Sequence, residues 1–338
     1  MTTEPVRAEQ PRISVLIPTH ERRASVERAI RSLSTQTLPP DEYEIVVGVD
    51  GSTDGTRELL ESIRAPCAVR HVWKPRGGRA SACNAALRVA TAPVVLFLDD
   101  DMEASRSLLS AHLDAHSGDS SVGVVGAVPI RTDATSPAVT RYVADRFNGH
   151  LTNLAAPGYQ FGLRDFYSGN FSVSRRTMLD AGGYDESFTV YGNEDLDLSL
   201  RLRAAGVRLV FSATAVAYQH YEKNFAALAR DTIEKGRTAV QLARKHPESM
   251  RDLKLSQFDR GPVGSRVVRN ALLAADARSP AVRDRVVRAM TWLGDRHVRG
   301  LHRVYPAVLD YFYWLGARAA QAELEPMLTA RTPAASAP

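Results

Sequence analysis

The run Val94-Val95-Leu96-Phe97-Leu98 ends abruptly in Asp99-Asp100-Asp101. A short apolar run of this kind reads as a buried strand of a parallel sheet, and such sheets bind ligands just beyond the carboxyl ends of their strands. Three adjacent carboxylates repel one another and call for a counter-ion, most simply a divalent metal with oxygen ligands. A solvated acidic turn is the plain alternative, and the rest of the chain must choose between the two.

Upstream, short β-rich runs alternate with helical patterns. Ile13–Ile17, Glu44–Val49 and Val69–Trp73 read as strands. Helices are expected over Ala24–Leu33, with Val26, Ile30 and Leu33 on one face, over Asp54–Ile63, capped by Thr53 or Asp54, and over Ser81–Ala90. The β-α-β-α-β-α-β order implies a parallel sheet with right-handed crossovers. Downstream the pattern loosens. Ser105–His116 is expected as a helix, Val122–Pro129 as a strand, Thr132–Gln160 as mostly loop, Phe171–Ser174 as a strand, Asn193–Ala205 as a helix and Val207–Phe211 as a strand. Beyond Tyr221 helices are expected over Phe225–Lys245, Arg266–Ala277, Ala281–Trp292 and Ala307–Leu324, and the small, Pro-containing tail Thr329–Pro338 reads as disordered.

The 338 residues allow one large domain with an extension, or two domains. A hydrophobic share of 44% and a charged share of 24% are ordinary for a soluble globular protein. No apolar stretch approaches the roughly 20 residues needed to cross a bilayer. Residues 1–11 are polar, carry Glu4 and Glu9, and do not read as a secretory signal. Cys67 and Cys83 are the two cysteines and lack metal-ligand spacing, so a reducing cytoplasm is the default.

The net charge of +5 is unevenly spread: from Lys223 onward 20 Lys and Arg face 11 Asp and Glu, while residues 1–222 hold 23 against 27. A basic extension suits an anionic acceptor or the inner face of a membrane, and a solvated Arg-rich helical surface explains it equally well. Aromatics are not interleaved with the basic residues, which excludes a nucleic-acid module. The aromatic set Tyr305, Tyr311, Phe312, Tyr313 and Trp314 reads first as helical core and second as an interface or acceptor platform.

Topology brings the ends of the first four strands to one sheet edge. That edge collects Thr19-His20-Glu21-Arg22, Asp50-Gly51-Ser52-Thr53-Asp54-Gly55, Arg76-Gly77-Gly78-Arg79 and the three aspartates. The mixture suits a nucleoside diphosphate with a metal: a carboxylate can accept a base imide N–H, and glycine backbone allows close approach.

Pro18-Thr19-His20-Glu21-Arg22, Val49-Asp50-Gly51-Ser52-Thr53-Asp54-Gly55-Thr56 and Phe97-Leu98-Asp99-Asp100-Asp101 resemble successive motifs of family 2 glycosyltransferases. Gly182-Gly183-Tyr184-Asp185-Glu186-Ser187-Phe188, Glu194-Asp195-Leu196-Asp197-Leu198 and Arg201-Leu202-Arg203-Ala204-Ala205-Gly206 continue the resemblance, which covers about Arg12 to Tyr221. It implies an α/β GT-A fold, with a mostly parallel central sheet flanked by helices and a C-terminal helical extension. It further implies a nucleotide-sugar donor (a UDP-sugar first), a divalent metal (Mn²⁺ or Mg²⁺) and inverting transfer to a saccharide, a lipid-linked saccharide or a small-molecule acceptor. The implied domains are a flexible 1–11, a catalytic 12–222, a helical 223–328 and a disordered 329–338.

By the same resemblance Thr19, Glu21 and Arg22 contact the nucleotide, and Asp50 reads the base, although a turn initiator would also explain Asp50. Val49 stands where the family often has a further aspartate. Arg79 and Asn84 match donor-proximal positions, against a plain helix start. Asp101 is the implied metal ligand, with Asp99 or Asp100 nearer the ribose or the metal's waters. Ser168-Gly169-Asn170 matches the lining of the donor sugar, or a simple turn. Acidic residues at a helix start are favoured by the macrodipole alone, but the resemblance makes Asp195 the general base and gives Glu194 an acceptor hydroxyl. His220 matches a further metal ligand in some relatives, or a structural histidine. A sugar-phosphate nucleotidylyltransferase and a non-catalytic nucleotide-sugar-binding protein are the rival readings. The first lacks its Gly-rich basic N-terminal segment here, and the second does not need Glu194-Asp195.

Overall fold

The computed structural model describes residues 10–119 and 121–322; the expected flexible start (residues 1–9), the disordered tail and the last residues of the extension lie outside them. These residues divide into two compact units. The first takes the chain through Arg131, then Ala144–Thr189 and Asp195–Tyr221; the second takes Thr132–Val143, Val190–Glu194 and the chain from Glu222 onward.

The first unit is built on one eight-stranded sheet. Its strands are β1 (Ile13–Thr19), β2 (Tyr43–Asp50), β3 (Ala68–Lys74), β4 (Val94–Leu98), β5 (Met102–Ala104), β6 (Val122–Ala127), β7 (Asn170–Ser174) and β8 (Arg208–Gln219), in the order β3-β2-β1-β4-β7-β6-β8-β5. The β3-β2-β1-β4 half is parallel, as the alternating pattern implies. Its odd and even residues serve opposite faces, as a strand's period of two requires. Ile13, Val15 and Ile17 join Ile45, Val47 and Leu96 with helix α1 (Arg23–Leu33) on one side. Leu16, Val46, Val95 and Phe97 join helix α3 (Arg79–Val89) on the other. In sequence α2 (Thr56–Ser62) follows β2; its N-cap is Gly55, without a side-chain cap bond, rather than the expected Thr53 or Asp54, although Asp54 Oδ1 accepts the Thr56 N–H at 3.2 Å.

Beyond β4 the sheet becomes mixed. β7 runs antiparallel to both β4 and β6, and β5 antiparallel to β8. The register sets Asn170, the first residue of β7, opposite Leu98, the last of β4. An antiparallel strand begins where its neighbour ends, so Ser168-Gly169 is delivered to the edge that carries the aspartates.

Two expectations fail here. The stretch 132–160 is not mostly loop, because Ala138–Leu154 forms helix α5. The last strand does not stop at Phe211; β8 continues to Gln219 because β5, a strand the sequence did not signal, pairs with its second half. Helices α4 (Leu108–His116), α6 (Arg175–Asp180) and α7 (Glu194–Ala204) complete the unit's elements.

The second unit is helical: α8 (Phe225–Lys245), α9 (Val263–Arg278), α10 (Ala281–Asp295) and α11 (Leu301–Ala322). Tyr305, Tyr311, Phe312, Tyr313 and Trp314 are all buried in its core with Phe225, Val240 and Leu273. The aromatic cluster is therefore packing, not an exposed platform. Among the described residues no helix is long and apolar enough to cross a membrane.

Candidate active site

The loops after β1 and β2 are tied to each other. The His20 Nδ1 lies 2.6 Å from the Asp50 carbonyl, the Glu21 N–H donates to Ser52 Oγ at 2.9 Å, and the Thr53 N–H donates to Glu21 Oε1 at 2.6 Å. Glu21 holds a left-handed backbone, φ +51°, which a non-glycine residue rarely adopts; these bonds on either side hold it there. Buried Asp50 accepts the Gly77 and Gly78 N–H groups at 2.7 and 2.9 Å and Lys74 Nζ at 3.0 Å. It thereby shapes the Gly-rich loop that launches α3 and Arg79. Lys74, at the end of β3, was not anticipated, although the rule that pointed to the other strand ends applies to it equally.

The three aspartates face different partners. Asp100 accepts Thr19 Oγ1 at 2.8 Å and pairs with Arg22 at 2.9 Å. Burial, with the crowding of Asp101 and Asp99, pushes its carboxyl up to about 7 against the pull of Arg22. Asp101 lies 3.6 Å from Arg22 and 3.4 Å from Gln219 Nε2. Asp99 takes Arg79 on one oxygen, from Nε at 3.1 Å and from a terminal nitrogen at 2.8 Å. Gly169 makes room for that arrangement, since a Cβ on it would meet Asp99 Oδ2 at 2.6 Å.

Arg79 links the acidic triplet to the start of α7. Its other terminal nitrogen lies 3.4 Å from Asp195 Oδ1, and the fully buried Ser168 hydroxyl donates a short hydrogen bond to the same oxygen. The Tyr184 ring stacks below the guanidinium, 5.4 Å from it, and meets Phe97 edge-on at 5.1 Å. Asp99, Asp195 and Tyr184 all favour the charged guanidinium, and hold it above its usual range against the burial that opposes it. Asp99, Arg79, Ser168 and Asp195 are thus one connected group at the carboxyl end of β4.

The two expected asparagines are spent on protein. Asn84 Nδ2 donates to the Tyr184 carbonyl at 2.8 Å and to Glu186 at 2.9 Å, and its oxygen accepts the Tyr184 N–H at 2.8 Å. Asn84 therefore clamps the Gly182–Glu186 segment. Gly183 is needed at φ +70°, with its missing Cβ only 2.4 Å from Asn84 Oδ1. Glu186 also accepts Ser81 Oγ at 2.6 Å; Ser81 and Asn84 hold its carboxyl below the usual range. Asn170, fully buried, donates to the Ala215 and Ala127 carbonyls at 2.9 and 3.2 Å and accepts from His112 at 2.9 Å. Glu194 is buried and accepts the Gly192 N–H at 2.9 Å.

Asp99, Asp101 and His220 do not converge on one point. His220 Nε2 lies 2.8 Å from Glu103 Oε2, and its backbone N–H donates to the Asp101 carbonyl at 2.8 Å. Among the described residues no group of three or more His, Cys, Asp or Glu forms a ready metal cluster. The donor chemistry still suits a hard cation. Asp100 and Asp101 are consecutive buried carboxylates, Asp100 is pushed toward protonation, and oxygen ligands are what Mg²⁺ and Mn²⁺ prefer.

Residues 14–183 match the family described as glycosyl transferase family 2, and residues 149–224 match the N-terminal domain of galactosyltransferase. A validoxylamine A glucosyltransferase of Streptomyces hygroscopicus subsp. limoneus is 30% identical over 286 residues, 75% of this chain, and the chain spans 61% of that relative's length. The fold is shared with a Pyrobaculum calidifontis mannosyltransferase solved with GDP-Man and Mn²⁺ (TM-score 0.58, 20% identity, 96% of this chain and 92% of that one). It is shared also with residues 1–349 of TarS from S. aureus, solved with UDP-GlcNAc (TM-score 0.51, 16% identity, 92% of each chain).

Proposed function

The chain belongs to glycosyltransferase family 2, and from that premise we propose that it transfers a sugar, with inversion, from a nucleoside-diphosphate donor to a hydroxyl acceptor. The observation that carries this reading is the Arg79 bridge between Asp99 and Asp195, with Ser168 on the same Asp195 oxygen. It ties the carboxylate suited to proton removal to the acidic triplet suited to a divalent cation.

The step is a single displacement. Asp195 accepts the proton of the acceptor hydroxyl as that oxygen attacks the anomeric carbon. The new C–O bond forms as the bond to the diphosphate breaks, and the electron pair leaves with the nucleoside diphosphate. Arg79 and Arg22 offset the charge that develops on the leaving group. Asp101, with Asp99 or Asp100, would hold a divalent cation; the His220 ring, paired with Glu103, stands apart from that set. When bound there, the cation would supply positive charge to offset that of the diphosphate. Thr19, Glu21, Arg22 and Asp50 shape the nucleotide end, Ser168-Gly169 the sugar end, and Glu194 the acceptor side.

A uridine donor is the first expectation, and guanosine is the second, since fold neighbours are solved with UDP-GlcNAc and with GDP-Man. A saccharide or small-molecule acceptor agrees with the name of the Streptomyces relative. Residues 12–222 form the catalytic part and 223–328 an extension that helps to select the acceptor. The basic balance of that extension supports a cytoplasmic protein that touches the inner face of a membrane.

The test is a panel of nucleotide sugars in a thermal-shift assay with and without Mn²⁺, followed by product analysis of the best donor. One donor should raise the melting temperature selectively and more strongly with Mn²⁺, and turnover should release the nucleoside diphosphate. Release of pyrophosphate, or stabilisation by no donor, would refute the reading.

A further inference from the structure

Beneath the site runs a buried chain of polar side chains that the proposed mechanism does not use. His116 Nε2 lies 2.8 Å from Ser172 Oγ, Ser172 Oγ lies 2.7 Å from His112 Nδ1, and His112 Nε2 lies 2.9 Å from Asn170 Oδ1. His112, Ser172 and Asn170 are wholly buried. The direction of every bond follows from the end of the chain. Asn170 Nδ2 donates to two backbone carbonyls, so its oxygen is the acceptor and His112 Nε2 carries the proton. The neutral ring then accepts at Nδ1, so the Ser172 hydroxyl donates there and takes the His116 N–H on its oxygen. Every member is satisfied, the condition under which a buried polar network specifies one geometry rather than costing stability.

Its location gives it a task. Asn170 and Ser172 lie on one face of β7, while Phe171 and Val173 fill the apolar core on the other. Asn170 also pins β7 across its neighbours through the Ala127 and Ala215 carbonyls, a spacing that Gly126 allows: its Cβ would stand 2.3 Å from Asn170 Nδ2. Ser168-Gly169 enters directly before Asn170, and the Gly169 carbonyl takes the Asp99 N–H at 3.1 Å. The network therefore ends two residues from the hydroxyl bonded to Asp195.

We infer that His112 is a positioning residue for transfer: through Asn170 and Ser172 it fixes the start of β7, and so the Ser168 hydroxyl that orients Asp195. Ser168 then serves the base as well as lining the donor sugar. The inference rests on Asp195 as the base, and transfer by Asp195→Asn at the wild-type rate would sink that assignment instead.

The experiment is a double-mutant cycle with kcat, donor KM and donor binding measured on folded protein. His112→Asn keeps a polar group near Nδ1 but cannot reach Asn170; His112→Gln can still donate to Asn170. His112→Asn and Ser168→Ala should each lower kcat by about 10²-fold, the effect of a misaligned reacting group. In His112→Asn, which lies outside the donor site, donor KM and binding should stay within about threefold; Ser168→Ala is read by kcat. The double variant should be no slower than Ser168→Ala alone, because both act by one route, and His112→Gln should recover most of the activity. Unchanged kcat in His112→Asn, or losses that multiply in the double variant, would overturn the inference. Should His112→Asn fail to fold, Ser172→Ala replaces it in the same cycle, with the same non-additivity expected and multiplied losses again refuting it.

Discussion

Arg79 is the side chain on which the two halves of the site depend. It stands between Asp99 and Asp195, so its removal takes from both carboxylates the positive charge they share and leaves Asp195 bonded to the Ser168 hydroxyl. Arg79→Met should lower kcat/KM for transfer by about 10²-fold or more, the scale seen when one preorganised donor is lost. Steady-state kinetics giving a value within threefold of wild type would remove Arg79 from the mechanism. The sequence pointed to Arg79 because the glycines before it and the position after β3 are both visible in one dimension. It did not reveal what Asp50 does. Asp50 meets the backbone N–H groups of Gly77 and Gly78, and backbone donors leave no mark on residue type. Asn84 and Asn170 show the same limit, since an amide that binds a backbone carbonyl and one aimed at a ligand look alike in a sequence.

At the level of elements, β1, β2 and β4 were legible because they are buried on both faces and read as near-continuous apolar runs, whereas the edge strand β3 is only partly buried and shows itself by its β-rich composition. Helix α5 was not. Its stretch carries Asn148, Gly149 and Asn153, poor helix formers on their own, and packing against the rest of the fold overrides that weak preference. The second half of β8 was hidden because its partner β5 is three residues long. In the helical unit, two glycines set how closely α8 and α11 pack. A Cβ on Gly236 would fall 2.0 Å from the Tyr313 carbonyl oxygen, and one on Gly316 would fall 1.9 Å from that of Ile233. Both contacts are with backbone, which cannot swing aside. Gly316→Ala should destabilise this unit by about 1 to 3 kcal/mol despite the better helix propensity of alanine. Urea denaturation followed by tryptophan fluorescence, sensitive to Trp314, would check it, and an unchanged or raised midpoint would show that the helices can separate at little cost.

For the molecule as a whole, the buried histidines make stability depend on pH. Burial pulls His112 from 6.5 down to about 4, and His116 is lowered for the same reason. Between pH 4 and 6.5 the unfolded chain therefore binds protons that the folded chain refuses. Stability rises with pH through that window and is lost as the pH falls through it. The His112 contribution is on the order of 3 kcal/mol across the full window. Denaturant unfolding at pH 5 and pH 7 should show a smaller pH dependence in His112→Gln than in the wild type, and equal slopes in the two proteins would contradict the assignment.

The proposed transfer turns on Asp195 taking the acceptor proton beside a bound nucleotide sugar. The direct measurement is single-turnover transfer by Asp195→Asn, with donor affinity measured on the same sample by calorimetry. The rate should fall by about 10²- to 10⁴-fold, the usual worth of a positioned general base, with donor affinity within a few-fold of wild type. Transfer by this variant at the wild-type rate would contradict that role.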